Sequence, residues 1–308
     1  MVSAAAPRFR LAFVGFGEAA FSIASGLREA GFDGMAAFDV AADREPFWTR
    51  IRERAEQAGV TLLDGPEGLS GAETVFVLVQ PSASMAVAQS CASHVSPDAL
   101  YVDLTSLGPT DKAAVGAYVA AAGRHFVDAA ILGSAPTSRN RVPIVAAGPE
   151  VNQFVERFAP YGMDISPVGE RFGAAAGIKI VRSVLAKGLE ALYVEALIAA
   201  RRMGVEAEVL QSFCAFLDAR PALDTAAMLV RSHVPHAGRR ADEMRMSRAA
   251  VAETGLDPLM TDAIVQLMER SAASGVVAAG GGSQPPSLDA ALTILDAALA
   301  AAPRPAKS

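Results

Sequence analysis

Hydrophobic positions change their spacing partway along this chain of 308 residues. In the first half, short apolar runs such as RLAFV at 10–14 and AETVFVLV at 72–79 alternate with segments whose apolar residues recur every three or four positions. The short runs are typical of buried strands, and the longer spacing is typical of amphipathic helices. From residue 173 onward the strand pattern stops. The pattern therefore predicts an α/β domain over residues 1–170, with a doubly wound and mostly parallel sheet, followed by an all-α domain over residues 171–308.

Eight strands and six C-terminal helices follow from this spacing. The predicted strands are 10–14, 34–38, 60–63, 72–79, 100–104, 126–128, 143–147 and 164–168. The predicted C-terminal helices are 173–203, 206–218, 223–231, 237–254, 257–274 and 287–302, with Asp257 and Pro258 as the start of the fifth. Ligands of such sheets bind beyond the carboxyl ends of the strands, so the residues that follow the strands should line one crevice. These residues are Val79, Gln80, Pro81, Asp103, Thr105, Ser106 and the loop 131–136, which contains Gly133 and Ser134.

A glycine-rich turn joins the first strand to a helix that ends near Gly31, and the second strand closes with Asp39. The order strand, GxGxxA, helix, strand and acidic residue is that of a dinucleotide-binding Rossmann unit. Gly15 permits the tight turn, and Gly17 lets a pyrophosphate approach the helix N-terminus. Asp39 would bind the ribose hydroxyls and favours NAD, while Arg44 keeps NADP possible. The predicted cofactor-binding residues are Gly15, Phe16, Gly17, Glu18, Ala19, Asp39, Val79, Gln80, Pro81 and Thr105.

The segment 173–204 has apolar residues almost all the way round its predicted helix, which indicates that most of this helix is buried. Lys179, Ser183, Lys187 and Glu190 form one polar stripe on it. Removing an ammonium group from water costs free energy, so Lys179 either reaches solvent near the helix start or serves a site. The predicted cofactor crevice supplies such a site.

Composition restricts the class of function. The chain is 52% hydrophobic and 19% charged, which is typical of a globular protein rather than a disordered one. A formal net charge of −6 disfavours a nucleic-acid partner. Cys91 and Cys214 lack metal-site spacing, so we predict no metal. The sequence has no signal-peptide pattern and no charge-free window of about 20 residues, so we expect a soluble cytoplasmic protein with no membrane partner.

Four segments, taken in order, resemble the β-hydroxyacid dehydrogenase family, which includes hydroxyisobutyrate and phosphogluconate dehydrogenases. The glycine loop is similar to the family's cofactor fingerprint. The segment 103–109, DLTSLGP, resembles the family's D-x-S-T-x-x-P motif, and the segment 128–134, DAAILGS, resembles its DAPVSGG loop. The segment 173–183 resembles the family's helix with the pattern G-x-x-x-x-x-K-x-x-x-N. Ser183 replaces the asparagine, and Leu132-Gly133-Ser134 replaces Ser-Gly-Gly, so the substrate does not carry over. The resemblance implies a Rossmann domain, a helical domain and a homodimer formed through the long helix.

The resemblance also implies an activity. It predicts an NAD(P)-dependent oxidoreductase that acts on a 3-hydroxy acid or a related small anionic alcohol. Lys179 would be the general acid/base, and Ser183 would hydrogen-bond the lysine or the substrate. The predicted substrate-binding residues are Thr105, Ser106, Gly133, Ser134 and Arg240.

Other interpretations of the sequence stay open. An imine reductase shares the two-domain plan, although such enzymes usually have aspartate or tyrosine at the position of Lys179. A non-catalytic dinucleotide sensor would keep Gly15, Gly17 and Asp39 without needing Lys179. The basic segment 231–248 is either a solvated helix face or an anion-binding surface, and Arg239 and Arg240 are its candidates for binding an anion.

Overall fold

The computed structural model describes residues 9–301, and an eight-stranded sheet forms the centre of its first half. The strand order is β3-β2-β1-β4-β5-β6-β7-β8. The strands are β1 (Leu11–Val14), β2 (Met35–Phe38), β3 (Val60–Leu62), β4 (Thr74–Val77), β5 (Leu100–Asp103), β6 (His125–Ile131), β7 (Ile144–Ala147) and β8 (Ile165–Pro167). Every neighbouring pair is parallel except β6 and β7. The predicted fold class is therefore confirmed.

Helices cover both faces of this sheet. They are α1 (Glu18–Glu29), α2 (Trp48–Ala58), α3 (Ser84–Cys91), α4 (Pro109–Ala121), α5 (Ala135–Ser138) and α6 (Val151–Phe158). Side chains of β1 alternate between two hydrophobic cores, with Leu11 and Phe13 in one and Ala12 and Val14 in the other. This alternation follows from the two-residue repeat of a strand and explains why the strands are apolar throughout.

The strand register brings the carboxyl ends of five strands to one edge of the sheet. Val14 lies between Phe38 and Val77, Val77 pairs with Asp103, and Asp103 pairs with Asp128. The loops that follow Phe38, Val14, Val77 and Asp103 therefore start side by side, and β6 continues from Asp128 to Ile131 before its loop begins. This register is the physical reason why segments distant in the sequence form one site.

Six helices follow the sheet in the part of the chain that the structure describes. They are α7 (Ala174–Met203), α8 (Glu206–Asp218), α9 (Ala222–Glu253), α10 (Leu259–Ala273), α11 (Val276–Ala279) and α12 (Leu288–Ala301). The prediction of two helices at 223–231 and 237–254 was wrong, because α9 runs through Pro235 without a break. Val234 and Ala237 on either side of the proline are buried in a core with Val276 and Ala291, and this packing offsets the lost backbone hydrogen bond.

The start of α10 also differs from the prediction. The helix begins at Leu259 with Pro258 as its N-cap residue, so, contrary to the sequence prediction, Asp257 is not the N-cap and Pro258 is not the first helical residue. Instead, the Glu195 carboxylate on α7 accepts hydrogen bonds from the backbone N–H of Met260 at 2.7 Å and from that of Thr261 at 2.9 Å. Two free N–H groups at a helix start need acceptors, and a side chain distant in the sequence provides them here.

The described chain forms two compact units, which divide between Val184 and Leu185 within α7. The boundary near residue 170 stays a prediction. The predicted burial of most of α7 was wrong for the single chain, since Val181, Val184 and Leu185 are 65%, 68% and 73% exposed. Hydrophobicity on all sides of a helix indicates that it is covered, but not that the same chain covers it. Among residues 9–301, no helix is long and apolar enough to cross a membrane.

Candidate active site

The glycine loop between β1 and α1 leaves space at the helix N-terminus. Gly15 has φ +85°, and a Cβ there would lie 2.3 Å from the Leu78 carbonyl oxygen, so only glycine fits. A Cβ on Gly17, the N-cap of α1, would meet no atom within 4 Å. The described chain supplies no side-chain cap to α1. Its first N–H groups therefore face an open cradle that suits the pyrophosphate of a dinucleotide.

Asp39 holds this loop in place. Its carboxylate accepts hydrogen bonds from the Phe16 N–H at 2.7 Å and the Ala41 N–H at 2.9 Å. The Phe16 side chain is buried in the core, so only the backbone of this predicted cofactor residue reaches the loop surface. Asp39 thus fixes the shape of the glycine turn in addition to facing the cleft beside it.

A cleft of about 380 Å³ runs along the glycine loop. Its lining includes the predicted residues Gly15, Gly17, Glu18, Ala19, Asp39, Val79 and Gln80. Nine further lining residues were not among those predicted to bind the cofactor, namely Val14, Ala20, Phe38, Val40, Leu78, Ala83, Val87, Ser90 and Cys91. Burial raises the pKa of the Cys91 thiol, which keeps this wall of the cleft uncharged. Size and lining fit an adenosine half of a dinucleotide.

A second cleft of about 360 Å³ adjoins the first, because Glu18, Ala19, Leu78 and Val79 line both. Pro81 and Thr105, both predicted to touch the cofactor, lie in this second cleft. Four further predicted site residues come together here, namely Ser106, Gly133, Ser134 and Lys179. Apolar residues complete the wall, and they are Leu104, Ile131, Ala135 and Pro136. A small molecule in this cleft would therefore lie beside a cofactor in the first one.

Lys179 directs its ammonium group toward the loop that follows β5. Its Nζ lies 2.5 Å from Ser106 Oγ. The Ser183 hydroxyl, one turn along α7, donates to the backbone carbonyl of Lys179 at 2.9 Å. The predicted bond from Ser183 to the lysine is thus made to the main chain and not to the ammonium group, and a direct catalytic role for Ser183 stays a prediction.

Thr105 lies in the second cleft and is hydrogen-bonded to Val79, which lines both clefts. Its Oγ1 accepts a hydrogen bond from the Val79 N–H at 3.3 Å and donates to the Val77 carbonyl at 3.4 Å. On the other side of the second cleft, Ser134 Oγ accepts a hydrogen bond from Thr137 at 2.9 Å. Both hydroxyl groups are therefore oriented by the protein before any ligand arrives.

Two arginines differ in their placement. Arg182 lies on α7 one turn after Lys179, and its Nη1 donates to the Leu132 carbonyl at 3.1 Å, within the loop that carries Gly133 and Ser134. Sequence reasoning missed this residue, although its spacing of three from Lys179 places it on a neighbouring part of the same helix face. Arg240, which was predicted to bind substrate, lies on α9 in the second unit, where it donates to Ser232 Oγ at 2.9 Å.

Three buried charged residues lie next to the site, and the sequence did not predict them as a group. Lys112, Asp103 and Asp128 are all fully buried. Burial lowers the pKa of Lys112, an effect opposed by the charges of Asp103 and Asp128. Burial raises the pKa of Asp128, which Lys112 opposes in turn. In residues 9–301, no group of three or more histidine, cysteine or acidic side chains is placed to hold a metal ion.

Comparisons with known proteins agree with this division of the chain. Residues 10–161 match the NAD binding domain of 6-phosphogluconate dehydrogenase, and residues 200–271 match a domain of unknown function, DUF1932. A conserved hypothetical protein from Sinorhizobium meliloti 1021 is 34% identical, with coverage of 94% of this chain and 97% of that chain and a TM-score of 0.60.

Two further solved structures are informative. A conserved protein of unknown function, described as structurally similar to 3-hydroxyacid dehydrogenases, is 30% identical over 85% of this chain and 96% of that chain, with a TM-score of 0.59. An imine reductase from Aspergillus terreus in complex with NADPH4 is 16% identical over 94% of this chain and 99% of that chain, with a TM-score of 0.72. At that identity the imine reductase shows a shared fold.

Proposed function

Since the chain belongs to a family that joins an NAD-binding domain of the 6-phosphogluconate dehydrogenase type to a DUF1932 domain, we propose that it is an NAD(P)-dependent dehydrogenase of small hydroxy acids. The reaction would transfer a hydride between nicotinamide and the carbinol carbon of a 3-hydroxy acid or a related anionic alcohol. The observation that carries this proposal is the 2.5 Å contact between Lys179 Nζ and Ser106 Oγ in the cleft beside the glycine loop.

The residues of the second cleft have different roles in the proposed reaction. When bound, the nicotinamide supplies the hydride acceptor. Lys179 in its neutral form takes the proton of the substrate hydroxyl, and its ammonium form returns that proton in the reverse direction. Ser106 orients the Lys179 ammonium, and Thr105 orients the strand end beside it. Because these groups are already hydrogen-bonded to the protein, little reorganisation is needed when the substrate binds.

Arg182 supplies the positive charge that an anionic substrate requires. Its guanidinium lies at the Leu132 carbonyl, within the loop of Gly133 and Ser134. Arginine binds carboxylates through two parallel hydrogen bonds. We therefore assign the substrate carboxylate to Arg182 together with the Ser134 hydroxyl. The apolar side chains of Leu104, Ile131 and Pro136 line the same cleft and favour a substrate with a hydrophobic substituent.

NAD is the proposed cofactor over NADP. The Asp39 carboxylate follows β2 and lines the first cleft, where it would meet the ribose hydroxyls and repel a 2′-phosphate. Arg44, the residue that keeps NADP possible, is exposed and pairs with Asp43 at 3.7 Å. This pairing partly neutralises the charge that a 2′-phosphate would need.

A homodimer completes the proposal. Val181, Val184 and Leu185 form an exposed apolar face on α7. In the second unit, Val194, Ile198, Leu259 and Met260 line a groove of about 580 Å³. Exposed apolar surfaces of this kind are typical of protein interfaces. A second copy of the chain is the occupant that covers α7 symmetrically, since the same helix can meet itself across a two-fold axis.

The test is a screen of NAD and NADP reduction with a panel of hydroxy acids that includes bulky and aromatic members. Cyclic imines with NADPH form a second arm, which tests the imine reductase alternative favoured by the shared fold.

Lys179→Met should lower kcat by about 10²–10⁴-fold, the usual contribution of a general acid/base, with NAD(P) affinity unchanged. The matched control is Lys187→Met, an exposed lysine two turns along the same helix. Wild-type turnover by the Lys179 variant would contradict the proposal, and cofactor binding without turnover of any panel member would favour a dinucleotide sensor.

A further inference from the structure

Lysine is rare in this chain. Only four of its 27 basic residues are lysines, and they are Lys112, Lys179, Lys187 and Lys307. One of the four, Lys112 on α4, is fully buried. An ammonium group in the interior requires a full set of acceptors to offset its lost hydration. The proposed reaction does not use Lys112 directly, so its position needs another explanation.

All three donors of the Lys112 ammonium are engaged by the turn that follows β5. Its Nζ donates to the carbonyl oxygens of Asp103 and Thr105, each at 2.8 Å, and lies 3.2 Å from Asp103 Oδ1. The Asp103 carboxylate also accepts the Thr105 N–H at 2.9 Å. Lys112 therefore fixes the backbone from residue 103 to residue 105, and Ser106 extends directly from that backbone.

The charge of Lys112 also acts on Asp128, the carboxylate at the start of the helix that carries Lys179. Asp128, the register partner of Asp103 on β6, accepts the backbone N–H groups of Gly173, Ala175 and Ala176 at 2.9, 3.0 and 3.3 Å. The positive charge of Lys112 stabilises the ionised form of this buried carboxylate. Ala176 lies one helical turn before Lys179, so the cap at Asp128 sets where the lysine emerges.

Close packing brings the start of α7 against the start of α4. Gly173 has φ +89°, and a Cβ there would lie 2.5 Å from the carbonyl oxygen of Pro109, the first residue of α4. The N-terminal ends of α4 and α7 are therefore in direct contact. Lys112 on α4 thus lies beneath both the substrate loop and the start of the catalytic helix.

We propose that Lys112 is a positioning residue that holds Ser106 at hydrogen-bond distance from Lys179. The inference rests on the proposed function only in taking Lys179 as the acid/base. Lys112 touches neither cleft, and it acts through the Asp103–Ser106 turn on one side and Asp128 on the other. A purely stabilising role would lower the unfolding temperature without changing the surroundings of Lys179.

Because the chain has only four lysines, NMR can follow the side chain of Lys179 separately from the others. Protein labelled with isotopes at lysine only gives few side-chain NMR signals, and each can be assigned by a Lys→Arg variant. We compare the Lys179 signal and its pH titration in the wild type, Ser106→Ala and Lys112→Met. Ser106 is exposed, so its alanine variant removes the hydrogen bond without creating a cavity. Lys187, exposed on the same helix, is the internal control.

The expected result is that Lys112→Met moves the Lys179 signal and titration in the direction seen for Ser106→Ala, and that the two substitutions together add little further change. The Lys187 signal should stay in place. Lys112→Met leaves the Asp103 carboxylate without its partner, so Lys112→Met/Asp103→Asn, which removes both charges, is the second variant. A Lys179 signal that stays at its wild-type position in either folded variant overturns the proposal.

The outcome is independent of turnover. If Lys179→Met retains activity in the substrate screen, the proposed function fails, while the NMR comparison still reports whether Lys112 controls the contact between Ser106 and Lys179. Where a substrate is found, Lys112→Met should also lower kcat by about 10- to 100-fold with little change in the KM for NAD(P), as is usual for residues that orient a reacting group.

Discussion

Three basic side chains of the first unit have different surroundings. Lys112 is buried and bonded to main-chain oxygens, Lys179 is half-buried against Ser106, and Arg182 is exposed at the Leu132 carbonyl. The degree of burial of each side chain fits the role that we propose for it. A positioning group needs rigidity, an acid/base needs a controlled environment, and an anion-binding group needs access to the substrate.

At Arg182, loss of the charge should weaken substrate binding more than it slows the chemical step. Arg182→Gln is expected to raise the KM for a carboxylate substrate by about 10-fold, the lower end of the range for a hydrogen bond to a charged group, because the side chain is exposed. The kcat should change little. Steady-state kinetics with a carboxylate substrate and with its uncharged ester separate the two effects.

Arg182→Lys is the matched control, since it keeps the positive charge and loses only the two-pronged geometry. An Arg182→Gln protein with an unchanged KM for the carboxylate, or with an equal loss on the ester, would contradict the assignment of the substrate carboxylate to Arg182.

Helices in the second unit depend on contacts from other elements. The N-terminus of α10 is capped by Glu195 on α7, and α9 continues through Pro235 because both sides of the proline pack into a core shared with α11 and α12. Local sequence favours a start at Asp257 for α10 and a break at Pro235 in α9. Contacts between helices therefore decide where these elements begin and end.

His233 on α9 should make the stability of the protein depend on pH. Burial, and to a lesser extent the charge of Arg240, lower the pKa of His233 from its ordinary value of 6.5. Between the lowered pKa and 6.5, the unfolded chain binds more protons than the folded one. This residue's contribution is therefore a loss of unfolding free energy as the pH falls below about 6.5, and no loss above it.

His233→Gln should remove that contribution. The difference in unfolding free energy between variant and wild type should shift in favour of the variant as the pH is lowered from about 7.5 to about 5.5, a range that spans the ordinary histidine pKa. Urea unfolding at each pH measures it. His236→Gln, at an exposed histidine on the same helix, is the control. A pH-independent difference for His233→Gln would refute the prediction.

At the scale of the molecule, the apolar face of α7 formed by Val181, Val184 and Leu185 is not covered by any of the described residues 9–301. Val184 and Leu185 are 68% and 73% exposed although both are large and aliphatic. Each side chain of this kind favours burial by about 1.5–3 kcal/mol. A helix with this face would be stabilised by a second copy of itself, which is why we propose a homodimer.

Charges on this face should therefore separate the subunits. Val184→Lys/Leu185→Glu is expected to give a monomer in sedimentation experiments at concentrations where the wild type is a dimer, because both charges would have to be buried at the interface. Phe47→Lys alters another exposed apolar residue, which precedes α2, and should leave the dimer intact. A monomeric wild type, or a dimer that persists in the double variant, would contradict the homodimer.

Much of the first unit could be predicted from the sequence because its signals are local. Gly15 and Gly17 are required by the backbone of a single turn, and Asp39 follows the next strand directly. The apolar runs of the strands are short, and parallel order brings their carboxyl ends to one edge. Ser106, Gly133 and Lys179 could then be placed in one crevice, as the structure has them.

The roles of Lys112, Arg182 and Glu195 could not be predicted in the same way. Each depends on a partner 7 to 66 residues away, namely Thr105, Leu132 and Thr261. Their types and spacings are ordinary for solvated helices, so the sequence alone gives no reason to single them out. Only the packing of one element against another makes them specific.

By itself, the sequence determined the alternation of strands and helices in the first half and the glycine turn that suits a dinucleotide, because hydrophobic period and glycine position act over a few residues. Tertiary structure decided three other things. It placed the Lys112 ammonium against the backbone of Asp103 and Thr105, carried α9 through Pro235, and left the apolar face of α7 exposed on the single chain. These outcomes depend on the free energy of packing between distant segments, and a local pattern does not contain it.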